Sequence, residues 1–370
     1  MEEDEEMMRE ALRLAARGEG RVAPNPLVGC VIRARRRTIG RGWHEEWGGA
    51  HAEVNAVRSV SAEDRRLLRE ATVYVNLEPC AHQGKTPPCA PMLVREGVRR
   101  VVVSNLDPYP EVSGRGLRML EEAGIEVRTG VLEKEGRELN RRFFTLHTLG
   151  RPYVILKWAQ SADGLIAGLG ADGRPLRTEI SNAATRRLSH HLRATEMAIV
   201  VGRVTVETDD PSLTVRDYRP EDEGERGAAR NPMRVVIDPM GSLDGRWKIF
   251  RCGESDSVTV FVDKCVKNAT FAKESPGARV EVVGIDFGGR VPESVLRELG
   301  ARGVSSVIVE GGRRTLQSFL DAGLWDECRI ETNPSLMLGE GVAAPVREDG
   351  RLREEKTVGG HRVEIWERRK

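Results

Sequence analysis

The chain has 370 residues, with 58 Lys and Arg against 57 Asp and Glu and a formal net charge of +1. That length exceeds what one hydrophobic core normally serves, so two domains are expected. The near-neutral balance argues against long nucleic acid as the main ligand, and no stretch nears the roughly 20 apolar residues of a membrane span.

The opening Met1-Glu2-Glu3-Asp4-Glu5-Glu6 is acidic, the opposite of a secretory or mitochondrial leader. Six scattered cysteines in so long a chain do not form a disulfide scaffold. A cytoplasmic location is expected. Met7, Met8, Ala11, Leu12 and Ala15 then fall at helical spacing. Ala23-Pro24-Asn25-Pro26 breaks that helix. Strands are expected at 27–32, with Cys30 as core, and at 38–43, before the loop Trp47-Gly48-Gly49-Ala50. A helix follows from His51, a strand over 71–77 and a helix over 90–96. Strand 98–104, helix 116–123 and strand 125–129 complete the first half. Strands alternating with helices imply a mostly parallel sheet covered on both faces.

The boundary is expected near 147–151, where a charged helix meets Gly150-Arg151-Pro152. This gives domains of 1–148 and 151–370. The second half repeats the alternation, with strands at 153–158, 198–202, 234–237, 258–262, 280–283 and 306–309 and a polar helix over 182–194. The charged stretch 217–230 reads as a solvent loop, and short basic runs such as Arg35-Arg36-Arg37 read as solvated faces.

The sharpest signal is His51-Ala52-Glu53 followed by Pro79-Cys80 and Cys89. A catalytic zinc takes three protein ligands and leaves a fourth position for water. One imidazole and two thiolates meet that count, for one Zn2+ per chain. Zinc lowers the pKa of its water towards neutrality, and Glu53 is suited to take a proton from it and pass it to a leaving amine. The order His-x-Glu then Pro-Cys is the zinc-deaminase signature, in which the glutamate is not a ligand. Residues two apart diverge on a helix, so His51 and Glu53 meet one metal only in its first turn. Eight residues separate Cys80 from Cys89 instead of two. In that loop His82 and Lys85 could meet a phosphate, or the loop is merely solvated.

Ala23 to Ile32, Gly42-Trp43-His44, His51-Ala52-Glu53, Leu77-Glu78-Pro79-Cys80 and Lys85 to Cys89 together closely resemble the bifunctional riboflavin-biosynthesis deaminase-reductase family. The resemblance implies an N-terminal cytidine-deaminase-like three-layer α/β/α domain. It also implies hydrolytic deamination of 2,5-diamino-6-ribosylamino-4(3H)-pyrimidinone 5′-phosphate, with Asn25, His44, Lys85 and Asp107 as substrate contacts. Tyr109 stands where the family usually shows Asn.

In the second half, Val309-Glu310-Gly311-Gly312-Arg313-Arg314-Thr315-Leu316 reads as strand, glycine turn and helix start. Amide N–H groups at such a helix tip suit a phosphate, and Arg313 or Arg314 could fork a 2′-phosphate. The Gly-x-Gly-x-x-Gly fingerprint of a classical dinucleotide fold is missing. Lys157 to Gly164, Gly202 to Thr205, Asp209 to Arg216 and the glycine turn resemble the family's reductase half. This implies a dihydrofolate-reductase-like α/β domain in which NADPH reduces the ribosyl group to ribityl. Substrate would lie against Arg193, Leu213, Arg216 and Glu310. The cofactor would lie against Ala159, Thr205, Asp209, Gly312, Arg313, Arg314, Thr315, Leu316, Gln317 and Ser318. Where the family commonly has Trp before Ile, this chain has Glu179, which removes a stacking surface beside the cofactor.

The expected function is therefore both reactions on one chain, with a small phosphorylated pyrimidine as substrate, no nucleic acid or membrane partner, and a homo-oligomeric state (dimer or tetramer) by resemblance. The rivals are a deaminase with an inactive reductase-like half, a deaminase of nucleic-acid bases, and a metal-stabilised binding module.

Overall fold

The computed structural model describes residues 2–81, 87–109, 113–216, 218, 230–251, 253, 257–266 and 278–369. The chain divides into two compact units, Met1–Gly150 and Arg151–Lys370.

In the first unit the acidic start adds to the expected helix, giving α1 (Glu2–Ala16). Acidic residues in a first turn complement the positive end of the helix dipole. There follow β1 (Gly29–Ala34), β2 (Arg37–Trp43), α2 (Ala52–Arg58), β3 (Thr72–Leu77), α3 (Cys89–Glu96), β4 (Arg100–Asn105) and α4 (Arg115–Glu122). A short β5 (Glu126–Arg128), α5 (Glu133–Leu139) and α6 (Arg141–Leu149) end the unit. The strands lie in the order β2-β1-β3-β4-β5. Alternate residues serve opposite faces, as strand geometry requires. Cys30, Ile32, Val73, Val75, Val101 and Val103 join α2, α3 and α4 in one core. Val31, Tyr74 and Val102 meet Met7, Met8 and Ala11 of α1 in the other. The result is three layers, α/β/α.

The sheet is not mostly parallel here: β1 runs antiparallel to both β2 and β3, while β3, β4 and β5 are parallel. The cause is a two-residue hairpin at Arg35-Arg36, both at positive φ (48° and 65°). Such turns are normally announced by Asn-Gly or Asp-Gly, so two arginines concealed it.

Glycines bring α2 close to the sheet. A Cβ on Gly42 would lie 2.3 Å from the Ala56 nitrogen and 2.6 Å from the Ala52 oxygen. Gly42→Ala is therefore expected to push back the helix that begins beside His51, costing about 1–3 kcal/mol as over-packing does. It should lower both the urea-unfolding midpoint and the zinc retained after dialysis. Wild-type values for both would show that α2 has slack.

The second unit contains β6 (Tyr153–Ser161), β7 (Leu165–Leu169), β8 (Pro175–Leu176), α7 (Ala183–Thr195), β9 (Ala198–Gly202), α8 (Arg203–Asp209) and β10 (Met233–Ile237). Then come β11 (Ser257–Asp263), β12 (Arg279–Ile285), α9 (Val291–Ala301), β13 (Ser306–Glu310) and α10 (Arg313–Asp321). The end is β14 (Glu327–Asn333), β15 (Gly341–Ala343), β16 (Arg351–Val358) and β17 (His361–Glu367). Among the described residues the main sheet has nine strands, in the order β12-β11-β10-β9-β13-β6-β14-β17-β16. Parallel pairing runs from β12 to β14, and β17 and β16 add antiparallel at one edge. Helices α9 and α10 cover one face and α7 and α8 the other. The edge hairpin turns at Gly359-Gly360, both at positive φ, a Gly-Gly signal legible in the sequence. Of the expected loop 217–230, only 218 and 230 lie within the described residues.

Candidate active site

His51 is the residue capping the N-terminus of α2, in extended backbone conformation, and its side chain accepts no capping hydrogen bond from the helix. Its imidazole turns instead to two thiols. Nδ1 lies 3.5 Å from the Cys80 Sγ and 3.4 Å from the Cys89 Sγ. All three potential ligand atoms fall within 4.8 Å of one another. Zn–N of about 2.0 Å and Zn–S of about 2.3 Å at a tetrahedral angle separate N from S by roughly 3.5 Å. The donor set therefore fits zinc in both chemistry and spacing.

Cys80 lies three residues past the end of β3, and Cys89 opens α3. The Cys89 backbone N–H, unpaired within its own helix, donates to the Cys80 sulfur at 3.3 Å. The hydrogen bond from the Cys89 thiol outweighs burial and, with that from His51, holds Cys80 down at about 4. The same contact pushes Cys89 up.

Glu53 sits in the first turn of α2, only 4% exposed. Burial raises it to about 7, and the nearby Cys80 adds to the rise. A cation at the cluster would oppose that shift. The two residues reach one centre from a helix tip, as their spacing demands.

A cavity of about 640 Å³ opens onto His51, Glu53 and Cys80 and is also lined by Asn25, His44, Trp47, Asp107, Tyr109, Arg115 and His147. His44 Nδ1 bonds the Ala50 carbonyl at 3.0 Å, so it carries the proton. Nε2 then accepts from the Asn25 amide at 3.0 Å. Burial lowers the His44 pKa, favouring that neutral form. The Asn25 segment is held by two buried amides: Asn76 bonds the Gly29 N–H and the Leu27 carbonyl, and Asn140 bonds both backbone groups of Leu27. Lys85 and His82 lie outside the described residues.

Sequence reasoning passed over Glu78. Its carboxylate accepts from the N–H groups of Asp107, Gly114 and Gly116 at 3.0–3.3 Å. It therefore ties the residue before Pro79-Cys80 to the Asp107 loop and to α4. No local pattern announces this, because the partners are backbone groups 29 to 38 residues away.

In the second unit, parallel register sets Glu310 of β13 beside Lys157 of β6. Glu310 is buried, 2.7 Å from Arg193 and 3.6 Å from Lys157. Burial alone would raise its pKa, but Arg193 and Lys157 outweigh that and hold it at about 2. Arg193 Nε and Glu310 Oε1 are buried without hydrogen bonds, which calls for a partner. Leu213 is buried at φ 54°. The Arg216 N–H donates to His190, and its guanidinium to the Ser212 hydroxyl. Lys157 was not singled out from the sequence, although the motif containing it was.

The expected cofactor residues divide. The Gly312 N–H donates to the Thr205 hydroxyl at 2.8 Å. Gly311 sits at φ 136°, where a Cβ would come within 2.8 Å of the same oxygen. The turn is thus a cradle only glycine leaves open. Gly312 caps α10, and Arg313 and Arg314 are exposed at its tip. Ala159 lies in β6, and Asp209 ends α8, raised by burial against the opposing effect of Arg177. Thr315 packs beside Gly202. Leu316 points into the core, with its N–H bonded to the Gly312 carbonyl. The Gln317 amide bonds Asp321 and both backbone groups of Val346, and Ser318 bonds the Thr315 carbonyl. Of these α10 residues Leu316 alone is buried in the core, Gln317 and Ser318 are half-buried, and Arg313 and Arg314 are exposed. Glu179 is exposed and paired with Arg186.

The cytidine and deoxycytidylate deaminase zinc-binding region family matches residues 1–105, and the RibD C-terminal domain family matches residues 152–364. The chain is 39% identical to riboflavin biosynthesis protein RibD of Aquifex aeolicus, over 92% of this chain and 89% of that protein. It is 35% identical to its Escherichia coli counterpart, over 90% and 89%. Acinetobacter baumannii RibD superposes with a TM-score of 0.85 at 31% identity, covering 100% of this chain and 99% of that one. A Thermotoga maritima structure described as a diaminohydroxyphosphoribosylaminopyrimidine deaminase/5-amino-6-(5-phosphoribosylamino)uracil reductase gives 0.81 at 34% identity, covering 99% of each chain.

Proposed function

Because this chain belongs to the RibD family of bifunctional riboflavin-biosynthesis enzymes, we propose the following roles for its residues. The enzyme is a zinc-dependent deaminase in its N-terminal part and an NADPH-dependent reductase in its C-terminal part. It removes the amino group from the diaminopyrimidinone phosphate and then reduces the ribosyl side chain, giving 5-amino-6-(5-phosphoribitylamino)uracil.

His51, Cys80 and Cys89 hold the zinc, which when bound makes water nucleophilic near neutral pH. Glu53 accepts a proton from the water that attacks the amine-bearing carbon and delivers it to the departing nitrogen. The C–N bond breaks, a C–O bond forms, and ammonia leaves. His44, fixed as the Nδ1–H tautomer, and Asn25 orient the ring, Asp107 contacts the ribosyl hydroxyls, and Lys85 contacts the phosphate.

The Gly311-Gly312 cradle would hold NADPH, which when bound would supply the hydride that no side chain can. Thr205, Asp209 and Ala159 would line the cofactor site, and Arg313 or Arg314 would fork its 2′-phosphate. Arg193 and Arg216 hold the substrate phosphate, with Glu310 and Leu213 against the ligand. We further propose that the protein is a cytoplasmic homo-oligomer with no nucleic-acid partner. No described helix is long and apolar enough to cross a membrane.

The observation that carries this reading is the His51, Cys80 and Cys89 cluster with buried Glu53 at the same cavity. A two-step assay tests it. Removing zinc with a chelator should abolish deamination of the phosphorylated pyrimidine yet leave NADPH oxidation by the deaminated intermediate nearly intact. Active deaminase without NADPH consumption would instead favour the deaminase-only rival, for which the substituted Glu179 is the one specific observation.

A further inference from the structure

The deaminase substrate carries a phosphate dianion, so its cavity must present a cation to it or leave it in solvent. Among the described residues lining the cavity, Arg115 is the only Lys or Arg. The other charged residues there are Glu53, Glu78 and Asp107, beside the imidazoles of His44, His51 and His147. Each carboxylate has an occupation that excludes binding an anion. Glu53 is buried beside the thiols, Glu78 is satisfied by three backbone N–H groups, and Asp107 accepts from the Tyr109 N–H. A carboxylate such as Asp107 suits sugar hydroxyls and repels phosphate.

The tip of α4 does not serve as the anion receptor either, because Glu78 already takes its Gly114 and Gly116 amides. Among the described residues, what remains is the Arg115 side chain, which is exposed and has no ion pair or hydrogen bond to any of them. Its place is fixed from two directions. Glu78 bonds the amides on either side of it, and Gly116 presses on the metal loop so closely that a Cβ would lie 1.9 Å from the Pro79 oxygen. Arg115 is thus anchored next to the segment that delivers Cys80, while Glu53 lies at the cavity's buried end.

We infer that Arg115 recognises the substrate phosphate in the deaminase cavity, alongside the proposed contact Lys85, and thereby selects phosphorylated over unphosphorylated pyrimidine ribosides. The inference rests on the deaminase reading of that cavity. A guanidinium remains charged at any working pH and forks two phosphate oxygens at once.

The test compares zinc-loaded full-length wild type, Arg115→Gln and Arg115→Lys on the phosphorylated substrate and on its dephosphorylated counterpart. Arg115→Gln should raise KM for the phosphorylated substrate about 10- to 100-fold, the range for a charge-assisted contact, with a far smaller effect on the dephosphorylated one. Arg115→Lys should recover part of the loss. Inorganic phosphate, followed by calorimetry, should fill one site fewer in Arg115→Gln than in wild type, the proposed Arg193 and Arg216 site remaining in both. Equal losses on both substrates, or no loss on either, would overturn the inference. Phosphate binding through Arg115 in a wild-type protein that deaminates neither substrate would sink the deaminase reading and leave the anion site standing.

Discussion

Glu53→Gln is expected to retain zinc at the wild-type level while deamination falls about 10²- to 10⁴-fold, the usual span for a positioned proton carrier. Retention follows from geometry. The metal-binding atoms belong to His51, Cys80 and Cys89, and glutamine matches glutamate in size within the buried first turn of α2. The loss follows from chemistry, since a carboxamide neither takes the water's proton nor returns one to the amine. NADPH oxidation with the deaminated intermediate should be unchanged, because Glu53 lies in the other compact unit. Metal analysis and both half-reactions on one preparation check this. A metal-stabilised binding module predicts no functional change at all, and zinc loss in Glu53→Gln would make the residue structural.

Substituting Arg193 should damage the reductase unit in both stability and turnover. Arg193→Met leaves the buried Glu310 with Lys157 alone, at 3.6 Å. Removing one partner of a buried ion pair typically costs about 3–5 kcal/mol, so the urea-unfolding midpoint should fall clearly. NADPH oxidation should fall with it, since Arg193 is proposed to hold substrate phosphate. The same pair gives a pH dependence with a definite sign. The Glu310 pKa in the folded chain, about 2, is below an unfolded value of roughly 4.3. Its stabilisation is therefore fully present above the unfolded value and is lost as pH falls towards 2. Glu310→Gln should flatten the acid limb of the stability profile in that window. An unchanged limb would place the acid sensitivity elsewhere.

Chemistry-bearing positions were legible in the sequence because local geometry fixes them. His51 and Glu53 lie two apart and must share a helix tip to reach one centre, and the structure places them there. The strands at 71–77 and 198–202 and the glycine turn at 311–312 were legible through apolar runs and punctuation, which are short-range signals. The Arg35-Arg36 hairpin was not, because its positive φ values occur in residues that do not advertise them. That hairpin makes the first sheet mixed instead of mostly parallel.

By itself, then, the sequence named the metal-ligating residue types, the proposed proton carrier, the alternation of strands and helices and an expected boundary near residue 150. Only the tertiary structure decided which charges meet. Glu78 reaches amides across the unit, Glu310 finds Lys157 through strand register, and Leu316 turns inward to the core. Arg115 gains its position from Gly116 packing on Pro79. These pairings depend on long-range packing and backbone partners, for which no residue pattern along the chain is required.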